Sequence, residues 1–269
     1  MRFSCRRGEF AAGRSIRIAH TIERKGVGAM QNGRQEEIVV SGGGKLRAYD
    51  AQKQTLTKET MLEGSGALCA DGVHIYCASD VENVIYRLQG ETLLPQSVYA
   101  GGPGMRALCL SRDGESLFVL LADADSVLML RAQDGMPMCL ARVGVYPQRM
   151  KLDESGEALV VAGGKDGCAY LLCARTLRLL ARQRGRGFCA EASRRAGRVC
   201  ALRMEEERFA AAGKLIGAGD TAWMFEPLHE RLYAYDAAQK RWRLVCTQAR
   251  DAARLTRKDY AVQTRGNAL

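Results

Sequence analysis

Gly102-Pro-Gly-Met-Arg-Ala-Leu-Cys-Leu-Ser-Arg-Asp-Gly-Glu-Ser-Leu-Phe-Val-Leu-Leu-Ala122 decides the fold. Two short apolar runs, residues 105–110 and 117–121, flank Ser-Arg-Asp-Gly114. Asp followed by Gly is turn chemistry, because Asp bonds its own backbone and Gly accepts a left-handed conformation. Runs this short and rich in Leu and Val suit strands rather than helices. The stretch therefore reads as two antiparallel strands joined at Gly114.

The pattern repeats outward in both directions. Gly33, Gly72, Gly114, Gly156 and Gly197 each close a short polar turn before an apolar run, at separations of 39, 42, 42 and 41 residues. The runs that follow are 38–40, 75–78, 117–121, 159–162 and 199–202. A further run begins after each of the first four, at 46–49, 84–88, 127–130 and 168–172. Another follows at 92–94, 136–141 and 176–181, and one precedes the turn at 105–110 and 148–152. Four short strands in a unit of about 40 residues is the pattern of a β-propeller blade. Helical solenoids share the period but need longer apolar stretches.

A gapless match sets residues 33–50 beside 219–236, ending in Leu-Arg-Ala-Tyr-Asp50 and Leu-Tyr-Ala-Tyr-Asp236, and marks a sixth copy. The step from Gly197 to Gly219 is only 22 residues. Either repeat five lacks its last strand and repeat six its first, or residues 209–216 serve both. The expected fold is thus an all-β propeller of about six four-stranded blades, five to seven being compatible with the spacing, with the fifth or sixth repeat shortened. Residues 254–264 are expected to close the ring, since an open sheet edge invites pairing with other chains.

The Gly102–Gly114 segment resembles the repeat of YVTN-type β-propellers, a group that includes lactonase-like proteins, in its glycine, proline, strand and Ser-x-Asp-Gly order. Residues 144–156, Gly-Val-Tyr-Pro-Gln-Arg-Met-Lys-Leu-Asp-Glu-Ser-Gly, are similar but looser. Leu232-Tyr-Ala-Tyr-Asp-Ala-Ala resembles the strand of quinoprotein-type repeats. The resemblance spans roughly residues 33–246. Leu117-Phe-Val-Leu stands where the name-giving tetrapeptide falls, and the chain is short for seven blades. WD-repeat propellers fit less well, because neither Trp223 nor Trp242 follows the WD pattern. The lactonase-like members imply a hydrolase, but no motif transfers a catalytic residue to this chain. There is no GxSxG and no HExxH, and fold alone does not set function.

Composition narrows the functional classes. The chain has 269 residues, 47% hydrophobic and 26% charged, which is the balance of a globular protein. No apolar run approaches the roughly 20 residues of a membrane span, so no membrane association is expected. The ten cysteines are scattered, none in CxxC spacing, and with three histidines apart from them they form no expected zinc site. No secretion signal is read at the N-terminus, so a reducing cytoplasm and free thiols are expected. Arg24-Lys-Gly-Val-Gly-Ala-Met30 is what a ribosome-binding sequence before a start codon yields on translation. A bacterial gene starting at Met30 is therefore expected, with residues 1–29 a basic extension that is disordered or untranslated, 30–264 the propeller domain and 265–269 a tail.

The formal charge of +10 divides unevenly. Residues 1–29 carry seven basic and two acidic residues, and 249–269 carry five and two. Between them, 30–174 is acidic, 13 against 18, while 175–208 holds ten arginines and four acids. Only Phe188 and Phe209 accompany those arginines, so the stacking platform of a nucleic-acid binder is missing and nucleic acid is not an expected partner.

Two residues stand out as a site. Arg106 and Arg149 each follow a proline at the start of the strand expected to be innermost, so neighbouring blades would bring two guanidinium groups to the mouth of the channel. Such pairs recognise carboxylate or phosphate. The alternative is that each pairs with a loop acid or faces solvent. Gly42-Gly-Gly-Lys45 reads as a hairpin turn rather than a phosphate cradle. Asp123-Ala-Asp125 reads as a solvated turn rather than a calcium site, and Asp71 and Asp113 as turn-formers. Neither metal nor cofactor is expected. The expected function is a non-enzymatic binding or protein-interaction scaffold, taking a protein partner or a small anionic ligand, with a lactonase-like hydrolase as the alternative.

Overall fold

The computed structural model describes residues 36–256 except 154, 163, 185–188, 196–197, 206–213, 219–220, 227–229, 237 and 240. Among the described residues every regular element is a strand, and no helix is long and apolar enough to cross a membrane. The strands fall into sheets in chain order. The first contains β1 (Glu36–Gly42), β2 (Lys45–Asp50) and β3 (Leu56–Met61). The second is β4 (Ser65–Ala70), β5 (His74–Ser79), β6 (Val84–Gln89) and β7 (Pro95–Ala100). The third is β8 (Met105–Leu110), β9 (Ser116–Leu121), β10 (Ser126–Arg131) and β11 (Pro137–Arg142). The fourth is β12 (Arg149–Leu152), β13 (Ala158–Ala162), β14 (Cys168–Cys173) and β15 (Leu179–Arg184). Two strands, β16 (Cys189–Arg195) and β17 (Arg198–Glu205), pair next. They are followed by β18 (Lys214–Ala218), β19 (Thr221–Glu226), β20 (Arg231–Asp236) and β21 (Arg241–Thr247).

The last strand, β22 (Asp251–Thr256), returns to the first sheet and pairs antiparallel with β1, from Ser41↔Asp251 to Glu36↔Thr256. Successive antiparallel sheets closed by joining both ends of the domain make a β-propeller, and the closure removes the edge that β1 would otherwise expose. The closing strand begins three residues before the expected 254, and residues 257–264 lie outside the described residues, as do 1–29 and 265–269. Among the described residues the shortening falls on the fifth sheet. The sixth has four strands, β18 being its first.

Burial explains why the repeat is visible in the sequence. The second strands β5, β9 and β13 are buried along almost their whole length, because neighbouring sheets cover both faces. A strand covered on both faces reads as an unbroken apolar run rather than an alternation. The outer strands β3, β7, β11 and β15 are mostly exposed and carry a weak signal. The core lies between sheets. One cluster joins Ile38, Val40 and Tyr49 of the first sheet to Trp223, Phe225 and Leu232 of the sixth. Others join the first to the second sheet, the second to the third and the third to the fourth. Each fully buried Leu, Ile or Phe there contributes about 1.5–3 kcal/mol.

The expected outer runs at 92–94 and 176–181 begin too early. Residues 92–94 precede β7, and β15 starts at Leu179. The cause is a leucine in the turn. Leu93 (φ 59°) and Leu177 (φ 52°) occupy the left-handed region while their side chains are buried. Gln54 and Gly135 hold the same position in the first and third sheets, at the same 39- and 42-residue spacing. An L-residue there costs roughly 1–2 kcal/mol, which burying a leucine offsets. Gly42 to Lys45 is the expected hairpin, with Gly43 and Gly44 at φ 62° and 70°. Of the repeat's turn glycines, Gly72, Gly114 and Gly156 have positive φ, whereas Gly33 and Gly197 lie outside the described residues.

Candidate functional site

The innermost strands β18, β22, β4, β8 and β12 lie side by side in that order. Four of them, β22, β4, β8 and β12, border a cavity of about 700 Å³. Arg106 and Arg149 both line it. They occupy equivalent places in the repeat, aligned with Gly66 of the second sheet through Gly66-Ala-Leu-Cys, Arg106-Ala-Leu-Cys and Arg149-Met-Lys-Leu. The register between β8 and β9 shifts between Met105 and Ala107, so Arg106 sits in a bulge, the device that re-aims a side chain at a strand edge. Gly104 (φ 70°) turns the chain into β8, and a Cβ there would lie 2.5 Å from Asp123 Cγ, so the approach of the loops requires glycine.

Arg106 Nη2 donates to Tyr146 Oη at 2.9 Å, and its guanidinium lies 5.8 Å from the Tyr146 ring centroid. Tyr146 belongs to the loop that leads into β12, the strand of Arg149. Its backbone N–H donates to Asp125 Oδ1 at 2.7 Å, which gives that carboxylate a role in joining loops. Lys165 Nζ lies 4.6 Å from the same ring. Arg106 is thereby held through the hydroxyl and the ring of Tyr146.

Other charged residues of the cavity were not singled out from sequence. Lys151 is two residues beyond Arg149, which places it on the same face of β12. Asp80, Glu230, Arg250 and Asp251 complete the charged lining. Arg250 Nη1 pairs with Asp80 Oδ2 at 3.3 Å. Asp251 accepts the backbone N–H of Leu68 at 2.9 Å and of Ala252 at 2.8 Å, which fixes its carboxylate across the junction of the first and second sheets. Asp251 escaped the sequence reading because the closing strand was expected to start at Arg254. Leu68, Met105, Leu108, Met150, Val160 and Phe225 supply apolar wall.

Among the described residues that line the cavity there is no Ser, Thr, Cys, His or Tyr. No group of three or more His, Cys, Asp or Glu side chains spaced to hold a metal occurs among the described residues. The described lining offers guanidinium, ammonium and carboxylate groups beside an apolar wall. The arginines of residues 185–208 have no described side chains.

No protein-family pattern and no curated protein sequence matches the chain. Solved structures do. A structure of a nidogen/laminin complex is similar at TM-score 0.52 and 12% identity, over 82% of this chain and 98% of that one. A functionally unknown protein from Desulfotomaculum acetoxidans is similar at 0.51 and 12%, over 83% and 72%. A mitotic checkpoint complex chain is similar at 0.50 and 13%, over 76% of this chain and 58% of its own length. At such identity the likeness establishes the fold, and the nidogen/laminin and checkpoint neighbours are of propeller type.

Proposed function

We propose that this protein is a non-enzymatic binding scaffold that takes the anionic group of a small ligand or of a protein partner between Arg106 and Arg149. The observation that carries the reading is the placement of both arginines, at equivalent positions of neighbouring innermost strands, in one cavity of about 700 Å³. Two guanidinium groups on adjacent strands offer the paired donors that carboxylate and phosphate accept. The nidogen/laminin and mitotic checkpoint structures are complexes, which accords with a propeller used for association. Within the propellers, the Gly102–Gly114 pattern favours the YVTN type.

Calorimetric titration with succinate, with inorganic phosphate and with a short acidic peptide tests the reading and separates small ligands from peptides. A charged hydrogen bond contributes about 1.5–3 kcal/mol, so Arg106→Ala with Arg149→Ala should weaken binding by roughly two orders of magnitude or more. Both side chains are exposed to the cavity, so the double variant should keep the parent's thermal midpoint. Unchanged affinity in the double variant, or no binding of any probe to the parent, overturns the proposal.

A further inference from the structure

Tyr146 holds a backbone conformation that two sister turns give to glycine. The turns that lead into the innermost strands β4 and β8 pass through Gly64 (φ 67°) and Gly104 (φ 70°), each two residues before the equivalent places Gly66 and Arg106. The turn into β12 passes through Tyr146 at φ 53°, three residues before Arg149. Positive φ is an outlier for a bulky side chain, and a residue followed by proline, as Tyr146 is by Pro147, prefers extended backbone. Glycine would make the turn without that cost. Strained residues persist where their surroundings over-determine them, and they gather at ligand clamps. The surroundings of Tyr146 are of that kind. Its N–H donates to Asp125 Oδ1 at 2.7 Å, its carbonyl accepts from Gln148 Nε2 at 3.2 Å, and the carbonyl of Val145 accepts the N–H of Lys165 at 2.7 Å. The backbone is thus pinned to the β9–β10 connection of the third sheet and the β13–β14 connection of the fourth.

What the pinned turn presents is the side chain. The hydroxyl accepts from Arg106 Nη2 at 2.9 Å, and the ring centroid lies 5.8 Å from the Arg106 guanidinium and 4.6 Å from Lys165 Nζ, within reach of cation–π attraction. Arg106 is exposed at the start of β8, on a long side chain with many rotamers. Ordering such a side chain on binding costs affinity, and ordering it beforehand removes that cost. We propose that Tyr146 is the positioning residue of the anion site, held in its strained turn so that its hydroxyl and ring set the Arg106 guanidinium in place before the anion arrives. The inference rests on the anion-binding reading above and adds the residue that orders it. Tyr146 is not among the residues lining the cavity, so it acts through Arg106 rather than by touching the ligand.

A double-mutant cycle on the full chain tests the inference, read by calorimetric titration with whichever of succinate, inorganic phosphate and the acidic peptide binds the parent. Tyr146→Phe keeps the ring and the turn and removes the hydroxyl. It should weaken binding roughly threefold to tenfold, the worth of one hydrogen bond. The same loss should appear in the Arg149→Ala background and vanish in the Arg106→Ala background, where no guanidinium is left to place. Tyr146→Gly removes ring and hydroxyl and relieves the backbone, so it should weaken binding at least as much while its thermal midpoint stays within about 4 °C of the parent's. Parental affinity in Tyr146→Phe or Tyr146→Gly, alongside weakened binding in Arg106→Ala, overturns the positioning role and leaves the anion site standing. A loss from Tyr146→Phe that is equally large in the Arg106→Ala background, or a midpoint of Tyr146→Gly lowered further than that, marks the residue as structural and overturns the role likewise. Failure of all three probes to bind the parent overturns both readings.

Discussion

Closure of the propeller by β22 makes a quantitative prediction at Leu255. Its side chain is fully buried in a cluster that joins Val39, Leu46 and Ala48 of the first sheet to Leu68, Ile75, Cys77 and Leu88 of the second. The packing is tight, since a Cβ placed on Gly90 would fall 2.9 Å from Leu255 Cδ2. Leu255→Ala removes three carbons from this junction. At about 0.8 kcal/mol per buried methylene the transfer loss is roughly 2.4 kcal/mol. An unfilled cavity raises the total to about 3–4 kcal/mol. In a domain of this size each kcal/mol lowers the thermal midpoint by about 2–4 °C, so a fall of roughly 6–16 °C is expected. Urea unfolding followed by tryptophan fluorescence measures the change. Trp223 suits the purpose, because it is fully buried at the junction of the sixth and first sheets with its indole N–H bonded to Ala51 O at 3.1 Å. Leu140→Ala on the outer strand β11, where Leu140 is 60% exposed, is the control and should change stability by about 0.5 kcal/mol or less. A Leu255→Ala variant as stable as this control would refute closure through β22.

Three further outcomes follow from particular contacts. Glu37 is fully buried with Lys58 Nζ at 2.8 Å, so Lys58→Met should cost about 3 kcal/mol by breaking this buried ion pair, with the Thr57 hydroxyl at 2.9 Å among the contacts that limit the loss. Gly135→Ala should destabilise by about 2 kcal/mol or more in the same unfolding assay. The position has φ 73°, and a Cβ there would lie 2.3 Å from the Tyr99 ring. Thiol labelling at pH 8, mapped by mass spectrometry, should modify Cys173 well before Cys77. The Thr176 hydroxyl and turn amides hold the Cys173 thiol below its usual range, whereas burial pushes Cys77 up to about 12. Labelling of Cys77 at the rate of Cys173 in folded protein would contradict its burial.

What could be read in advance follows from where selection by packing is strongest. The second strands were legible because both faces are covered, so 75–78, 117–121 and 159–162 lie within β5, β9 and β13. Of the outer strands, 136–141 matches β11 to within one residue, but 92–94 and 176–181 were placed too early, because outer-strand residues face solvent and the turns before them carry the apolar signal. Leu93 and Leu177 plug the core from a left-handed position, and this moved the expected strand starts too early. The gapless match of 33–50 to 219–236 was sound in aligning β2 with β20. It concealed a difference in the hairpins. Val39 pairs with Ala48, but Trp223 rather than Phe225 pairs with Ala234. The slip is two residues, which preserves the inward face, so the hydrophobic pattern carries no trace of it.

The same logic separates the charged residues of the cavity. Arg106 and Arg149 share one place in the repeat, so two copies of a local pattern announced them without knowledge of the tertiary fold. Asp80, Glu230 and Asp251 come from three different places: a turn after a second strand, the end of a longer hairpin loop, and the first residue of the closing strand. Nothing local relates them, and only the ring brings them to one wall. When β22 pairs with β1, it sets Asp251 against Leu68 N–H and Arg250 against Asp80, contacts about 170 to 185 residues apart in the chain. A variant with weakened closure, such as Leu255→Ala, should therefore lose protection of the Leu68 amide from hydrogen exchange before that of the β9 amides, and a Leu68 amide protected as in the parent would refute this coupling.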